Sequence, residues 1–155
     1  MLKGKKVLEI LYQKKLTLSV AESCTGGLLC NRLTDIPGSS KVFLLGIIAY
    51  SNTSKNKILK IPIKIIRAKG AVSAETAKRM AIGIRRISGA SAGIGITGIA
   101  GPGGASKFKP AGTVFIAVSF GKNTLVKEFH FAVNRLGVKR KAADKAIELL
   151  LKTIR

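Results

Sequence analysis

Seven residues, Ala21-Glu22-Ser23-Cys24-Thr25-Gly26-Gly27, constrain this chain more than any other stretch. An alternating apolar run from Leu16 to Ala21 leads in, and an amphipathic run with Leu28, Leu29 and Leu33 leads out. That pattern predicts a strand, a tight turn of small residues, then a helix. Ser23 stands at the corner, followed by Thr25 and two glycines. Such a corner holds a hydroxyl clear of its neighbours. It also presents free backbone N–H groups at a helix start, which bind an anion or stabilise an oxyanion. The same residues suit a plain capped helix equally well, with Ser23 or Thr25 as the N-cap.

The rest of the chain reads as alternating helices and strands. Residues 4 to 15 show helical periodicity, with Val7, Ile10 and Leu11 apolar. Residues 34 to 40 are rich in turn formers and predict a loop. Val42 to Tyr50 is almost continuously apolar, which predicts a strand buried on both faces. Asn52, Thr53 or Ser54 is expected to cap a short helix carrying Lys55, and Pro62 to open another that stops near Gly70. Ser73 is the expected N-cap of a longer helix with Ala77, Met80, Ala81 and Ile84 on one face. Ala92 to Ile96 predicts a strand running into a second glycine-rich corner, Thr97 to Gly104. Thr113 to Ser119 and Thr124 to Phe131 alternate like strands and join through Phe120-Gly121-Lys122-Asn123 as a hairpin. A helix from about Gly137 to Ile154 ends the chain, with Ala143, Ala146, Ile147, Leu150 and Ile154 as its core stripe. With no repeat, linker or low-complexity tract, residues 1–155 are expected to form one α/β domain, a mixed sheet covered on both faces.

Composition narrows the function classes. The 155 residues suffice for one domain with a real core. Aromatics are only 5% against 46% hydrophobic overall, so that core is aliphatic. No apolar run reaches the ~18 residues a membrane span needs, and the start, with Glu9, Gln13 and several lysines, is unlike a signal peptide. A cytoplasmic protein without membrane partners is expected. Lys and Arg number 28 against 7 Asp and Glu, a net charge of +21. Such a field attracts polyanions and small anionic substrates. The basic residues are spread along the chain with no aromatic-interleaved stripe, so nucleic acid is a possible partner but not the favoured one. Cys24 and Cys30 with the lone His130 do not make a zinc set. Two buried thiols in a reducing compartment are expected, with no metal and no cofactor. One histidine, in a strand-like run, offers no obvious Ser-His-Asp triad.

Three clusters follow predicted strand ends: Ser23 to Gly27, Tyr50 to Lys55, and Thr97 to Gly104. In open α/β sheets ligands bind beyond strand ends. If the three meet, a hydroxyl, a phenol, an ammonium group and glycine-lined N–H groups share one site. Those parts suit a serine nucleophile that works without histidine. A serine needs a base, and burial lowers a lysine pKa enough to make it one. Lys55 is the candidate base and Tyr50 the relay or orienting group. A positioned base is worth ~10²–10⁴ in rate, and an oxyanion donor roughly 3–4 kcal/mol. Each piece also has a plain reading: a solvated helix lysine, a strand-end tyrosine, a glycine loop.

These clusters, with Thr34 to Ser40, Gly70-Ala71-Val72-Ser73 and Lys109-Pro110 before Gly112-Thr113-Val114, resemble the CinA C-terminal domain family in order and over nearly the whole chain. The resemblance implies a three-layer α/β/α sandwich with a mixed, five-stranded sheet. It implies nicotinamide-nucleotide amidase activity, which converts nicotinamide mononucleotide and water to nicotinate mononucleotide and ammonia. It places the nucleophile at Ser23, assisted by Tyr50 and Lys55. Thr25, Gly26, Gly27, Asn52, Thr97, Gly98, Ala100, Gly101, Gly103 and Arg135 are then expected around the substrate. The family often has Gly-Asp-Arg where Val133-Asn134-Arg135 stands, and an acidic residue where Phe108 stands. A homo-oligomer is expected. The alternatives are an amidase for another carboxamide and a non-catalytic nucleotide- or nucleic-acid-binding protein.

Overall fold

The computed structural model describes residues 2–155. Six α-helices and five strands follow in chain order. They are α1 (Leu2–Gln13), β1 (Leu18–Glu22), α2 (Leu28–Thr34), β2 (Phe43–Ile48), α3 (Asn52–Lys57), α4 (Ile63–Lys69), α5 (Ala74–Ser88), β3 (Ala92–Gly98), β4 (Thr113–Phe120), β5 (Asn123–His130) and α6 (Arg135–Ile154). The strands form one mixed sheet in the order β2-β1-β3-β4-β5. β1 runs parallel to both β2 and β3, whereas β4 and β5 are antiparallel additions. The C-terminal ends of β1, β2 and β3 therefore open onto the same edge of the sheet.

Alternation along the strands divides the core into two layers. Val20 of β1, Ile94 of β3 and Ile116 of β4 pack on one face with Val7 and Leu11 of α1 and Ala143, Ala146 and Leu150 of α6. Ala21 and Ala117 face the other way, towards Met80, Ile84, Ala77 and Ala81 of α5. Fully burying each large aliphatic chain contributes about 1.5–3 kcal/mol. On the α5 side the small residues of β3 are a steric requirement. A Cβ at Gly95 would lie 2.6 Å from the Ala81 nitrogen and 2.8 Å from Met80 Cβ, and would also strike the Ala77 carbonyl. Only glycine lets α5 lie this close to the sheet.

Two expectations about the elements are corrected. β2 is an edge strand rather than one buried on both faces: Leu44 and Ile48 are about half exposed while Leu45 and Ile47 pack against the α5 layer. An apolar run does not distinguish a central strand from an edge strand whose outer face is covered only by the two turns of α2. The cap of α3 is Ser51, whose hydroxyl accepts from Ser54 N–H, one residue before the three expected candidates. The Ser73 cap of α5 is as expected, accepting from Thr76 N–H. Asn134 caps α6 by accepting from Gly137 N–H, so it does the work an Asp at that position would do.

Candidate active site

The corner after β1 differs from a simple capped helix. α2 begins only at Leu28, behind Gly27 at φ 91°, with Gly26 at φ 60° before it. Two consecutive left-handed positions require glycine. Neither Ser23 nor Thr25 caps the helix. Instead Glu22, the last residue of β1 and fully buried, folds its carboxylate back onto the helix start. It accepts from Gly27 N–H at 3.1 Å, Leu29 N–H at 3.2 Å and Cys30 N–H at 2.8 Å. Gly26 N–H is taken by the Ser23 carbonyl. Among the described residues, the N–H groups of Cys24 and Thr25 donate to no protein acceptor.

Ser23 is thereby free of capping duty, and Lys55 reaches it from α3. Lys55 is 1% exposed, although it is a lysine on a helix of only six residues. Its Nζ lies 3.1 Å from Ser23 Oγ, 2.8 Å from the Ala49 carbonyl and 3.0 Å from the Tyr50 carbonyl. No carboxylate pairs with it among the described residues. Burial drives its pKa below the usual lysine value, and the neighbouring Cys24 offsets this only in part. The Cys24 thiol is pushed by burial up to about 12, so it stays protonated at neutral pH beside the serine. Cys30 is shifted upwards too, by burial first and then by the Glu22 charge.

The phenol of Tyr50 points elsewhere than a relay would need. The ring is largely exposed, its hydroxyl lies 3.4 Å from Arg135 Nη2, and it is the Tyr50 carbonyl that touches Lys55. Arg135, the first residue of α6, also donates to the Gly101 carbonyl at 2.8 Å and so ties α6 to the glycine-rich corner. Opposite, Thr97 Oγ1 donates to the Ala71 carbonyl at 2.8 Å and Lys109 Nζ to the Val72 carbonyl at 2.5 Å. These bonds fix the wall formed by residues 71 and 72.

One cleft of about 280 Å³ collects these groups, lined by Ser23, Tyr50, Lys55, Thr97, Gly98, Ala100, Gly101, Gly103 and Arg135, with Cys24, Ala71, Val72, Ile99 and Gly104 between them. The other four expected substrate-binding residues lie outside it. Thr25 is fully buried with its hydroxyl unpartnered, and Gly26 and Gly27 form the turn behind the serine. Asn52 sits exposed in the first turn of α3. Of two larger hollows, one of about 610 Å³ lies between α1, α6 and the loop at Asp35 and one of about 550 Å³ between α1 and that loop, and neither is lined by Ser, Thr or Cys. No group of three or more His, Cys, Asp or Glu side chains among the described residues is placed to hold a metal. No helix among them is long and apolar enough to cross a membrane. Sequence reasoning missed Glu22 as the cap because it stands five positions before Gly27, although the helix dipole favours an acid near a helix start.

Fold and site together define a three-layer α/β protein with a buried serine–lysine pair at the C-terminal edge of its parallel strands. A family model of the CinA C-terminal domain matches residues 3–154, and the chain belongs to that family. It is 47% identical over 149 residues to a CinA-like protein of Syntrophus aciditrophicus, covering 94% of this chain and 35% of that protein. The chain thus spans about a third of the length of such curated relatives. The crystal structure of the competence/damage inducible protein CihA from Agrobacterium tumefaciens superposes with a TM-score of 0.96 at 35% identity, covering 99% of this chain and 94% of that one. A competence-damaged protein (CinA) superfamily protein from Escherichia coli superposes with a TM-score of 0.94 at 31% identity, covering 97% and 88%.

Proposed function

We propose that the chain is an amidohydrolase that converts nicotinamide mononucleotide and water to nicotinate mononucleotide and ammonia. The observation that carries this reading is the 3.1 Å contact between Lys55 Nζ and Ser23 Oγ, both of them buried. A neutral lysine has two N–H donors and one lone pair. The Ala49 and Tyr50 carbonyls take the two donors, which leaves the lone pair to the Ser23 hydroxyl. When protonated, the same nitrogen donates to all three oxygens. Both protonation states are satisfied, as a base that cycles between them requires.

In this reading Ser23 Oγ bonds to the carboxamide carbon while its proton passes to Lys55 Nζ. The C–N bond then breaks, and Lys55 returns the proton to the leaving nitrogen as ammonia departs. Water attacks the resulting ester, Lys55 takes its proton and gives it to Ser23 Oγ, and the acid is released. The oxyanion falls to the N–H groups of Cys24 and Thr25, narrower than the whole stretch from Ser23 to Gly26, because Gly26 N–H is already bonded. Arg135 and the Gly101 to Gly104 turn serve the phosphate, for which a guanidinium fork is suited. Tyr50, placed beside Arg135 and away from Ser23 Oγ, flanks the ligand rather than relaying a proton.

The test is ammonia release from nicotinamide mononucleotide by purified wild type, Ser23→Ala and Lys55→Met. Both variants should lose activity by at least ~10²-fold, the low end of the contribution of a positioned base. Ser23→Ala with wild-type turnover overturns the mechanism. A panel of other carboxamides separates this substrate from another amide. The proposed assembly, several copies of the chain, is read by light scattering.

A further inference from the structure

We propose that Glu22 is a positioning residue for the Ser23–Lys55 pair, and that its carboxylate reserves the Cys24 and Thr25 N–H groups for the reacting oxygen. This rests on the amidohydrolase reading above. Packing gives the chain no reason to bury a carboxylate at the end of β1. Glu22 is fully buried, and no Lys, Arg or His forms an ion pair with it among the described residues. A buried carboxylate without compensation is strongly unfavourable. Its compensation is three N–H bonds at the start of α2, where the helix leaves such groups unpaired and its dipole favours an acceptor.

A serine, threonine or asparagine in the turn would cap α2 at less cost. Capping from within the turn, however, would engage the hydroxyl or the backbone of the residues that form the corner. Capping from the strand side leaves them out. With Gly27, Leu29 and Cys30 N–H bonded to Glu22, no substrate oxygen is drawn to the helix start. The two unbonded N–H groups are those immediately after the serine. The six-residue span from Glu22 to Gly27 is closed by the Gly27 N–H bond to the Glu22 carboxylate, so Ser23 is held between two fixed points.

Glu22 also registers the base. Its carbonyl accepts from Ala49 N–H at 2.8 Å, and the carbonyl of that same Ala49 accepts from Lys55 Nζ at 2.8 Å. One residue thus connects the nucleophile's turn to the peptide that holds the lysine. Loss of its side chain bonds loosens the Ser23 side of the pair, while Arg135 and the glycine-rich turn, which hold the other end of the cleft, are untouched.

The experiment compares wild type, Glu22→Gln and Glu22→Asp on nicotinamide mononucleotide, with the active fraction of each preparation counted by titrating the acyl-forming serine with a fluorophosphonate. A carboxamide in place of the carboxylate turns an N–H₂ towards N–H donors. The expected result for Glu22→Gln is a fall in kcat per active site of tenfold or more, with KM changed less than twofold. Glu22→Asp, which keeps the carboxylate on a shorter stem, should recover part of the loss. A merely structural role would lower the active fraction and the melting temperature but leave kcat per active site unchanged, and that result overturns the inference. A Glu22→Gln loss carried by KM alone overturns it too. If wild type itself releases no ammonia, the amidohydrolase reading fails first. The inference is then judged on backbone exchange at Cys24, Thr25 and Gly27, which in Glu22→Gln should speed up at least threefold as the turn that Glu22 closes is loosened. Unchanged exchange there rejects it independently of any reaction.

Discussion

Lys55 shows how much a single residue depends on its surroundings. In the sequence it is one of 28 basic residues; in the fold it is buried against Ser23 and two carbonyls. Its charge has left water without a carboxylate in exchange, and the depressed pKa follows from that desolvation. The sign of the consequence is definite. In the proposed mechanism only the neutral form accepts the Ser23 proton, so the rate should rise with pH through the Lys55 pKa. The midpoint of the rise should lie below the ~10.4 of an exposed lysine. A kcat/KM profile on nicotinamide mononucleotide checks this, and a rising limb at the ordinary lysine value would contradict the role of burial. Tyr50 gives the opposite lesson. Its place at a predicted strand end, in one cluster with Lys55, suggested a relay or orienting group, yet chain direction at the end of β2 turns its carbonyl to Lys55 and its ring to Arg135.

At the scale of elements, the site depends on how closely α5 lies on the sheet. Gly95 of β3 faces the α5 backbone, and backbone atoms cannot rotate aside as a side-chain end can. Gly95→Val should therefore cost about 3 kcal/mol, at the upper end of ordinary overpacking, and lower the melting temperature by roughly 6–12 °C for a chain of this size. A thermal melt followed by circular dichroism measures it. The cost reaches the site because β3 continues into Thr97 and the glycine-rich corner. Helix starts were mostly legible in advance: Ser73 caps α5 as its position before Glu75 suggests. α2 was not, because its cap comes from the residue that ends the preceding strand, five positions before Gly27. Local capping rules look within the turn and miss an acceptor that reaches across it.

For the whole molecule, the net charge of +21 is the dominant long-range term. Only a few of the cations are neutralised by ion pairs, most of them exposed and individually weak. The field should aid capture of an anionic nucleotide and fade with salt, since the Debye length shrinks from about 30 Å at 0.01 M to about 8 Å at 0.15 M. KM for nicotinamide mononucleotide should accordingly rise with sodium chloride while kcat holds, and a salt-independent KM would remove steering from the account. Arg135→Ala should raise KM for the nucleotide tenfold or more and leave the dephosphorylated riboside unaffected, which steady-state kinetics on both substrates would read. Equal effects on the two would place the arginine away from the phosphate.

The amino-acid pattern determined which segments are strands and helices, where the small-residue corners fall, and that three chemically loaded stretches follow strand ends. These are local properties, written in periodicity and in the conformational freedom of Gly26 and Gly27. The tertiary structure alone decided the strand order β2-β1-β3, and with it that those three ends share one edge. It decided that β2 lies at the rim, that Thr25 and Asn52 stay outside the cleft, and that Lys55 loses its water. At the opening corner, which in the sequence suits a cap and a nucleophile equally, neither Ser23 nor Thr25 caps α2, because Glu22 takes the capping bonds from a distance. The physical reason is the same throughout. Burial and hydrogen-bond partnership belong to pairs of residues far apart in the chain, and no local pattern encodes which pairs will meet.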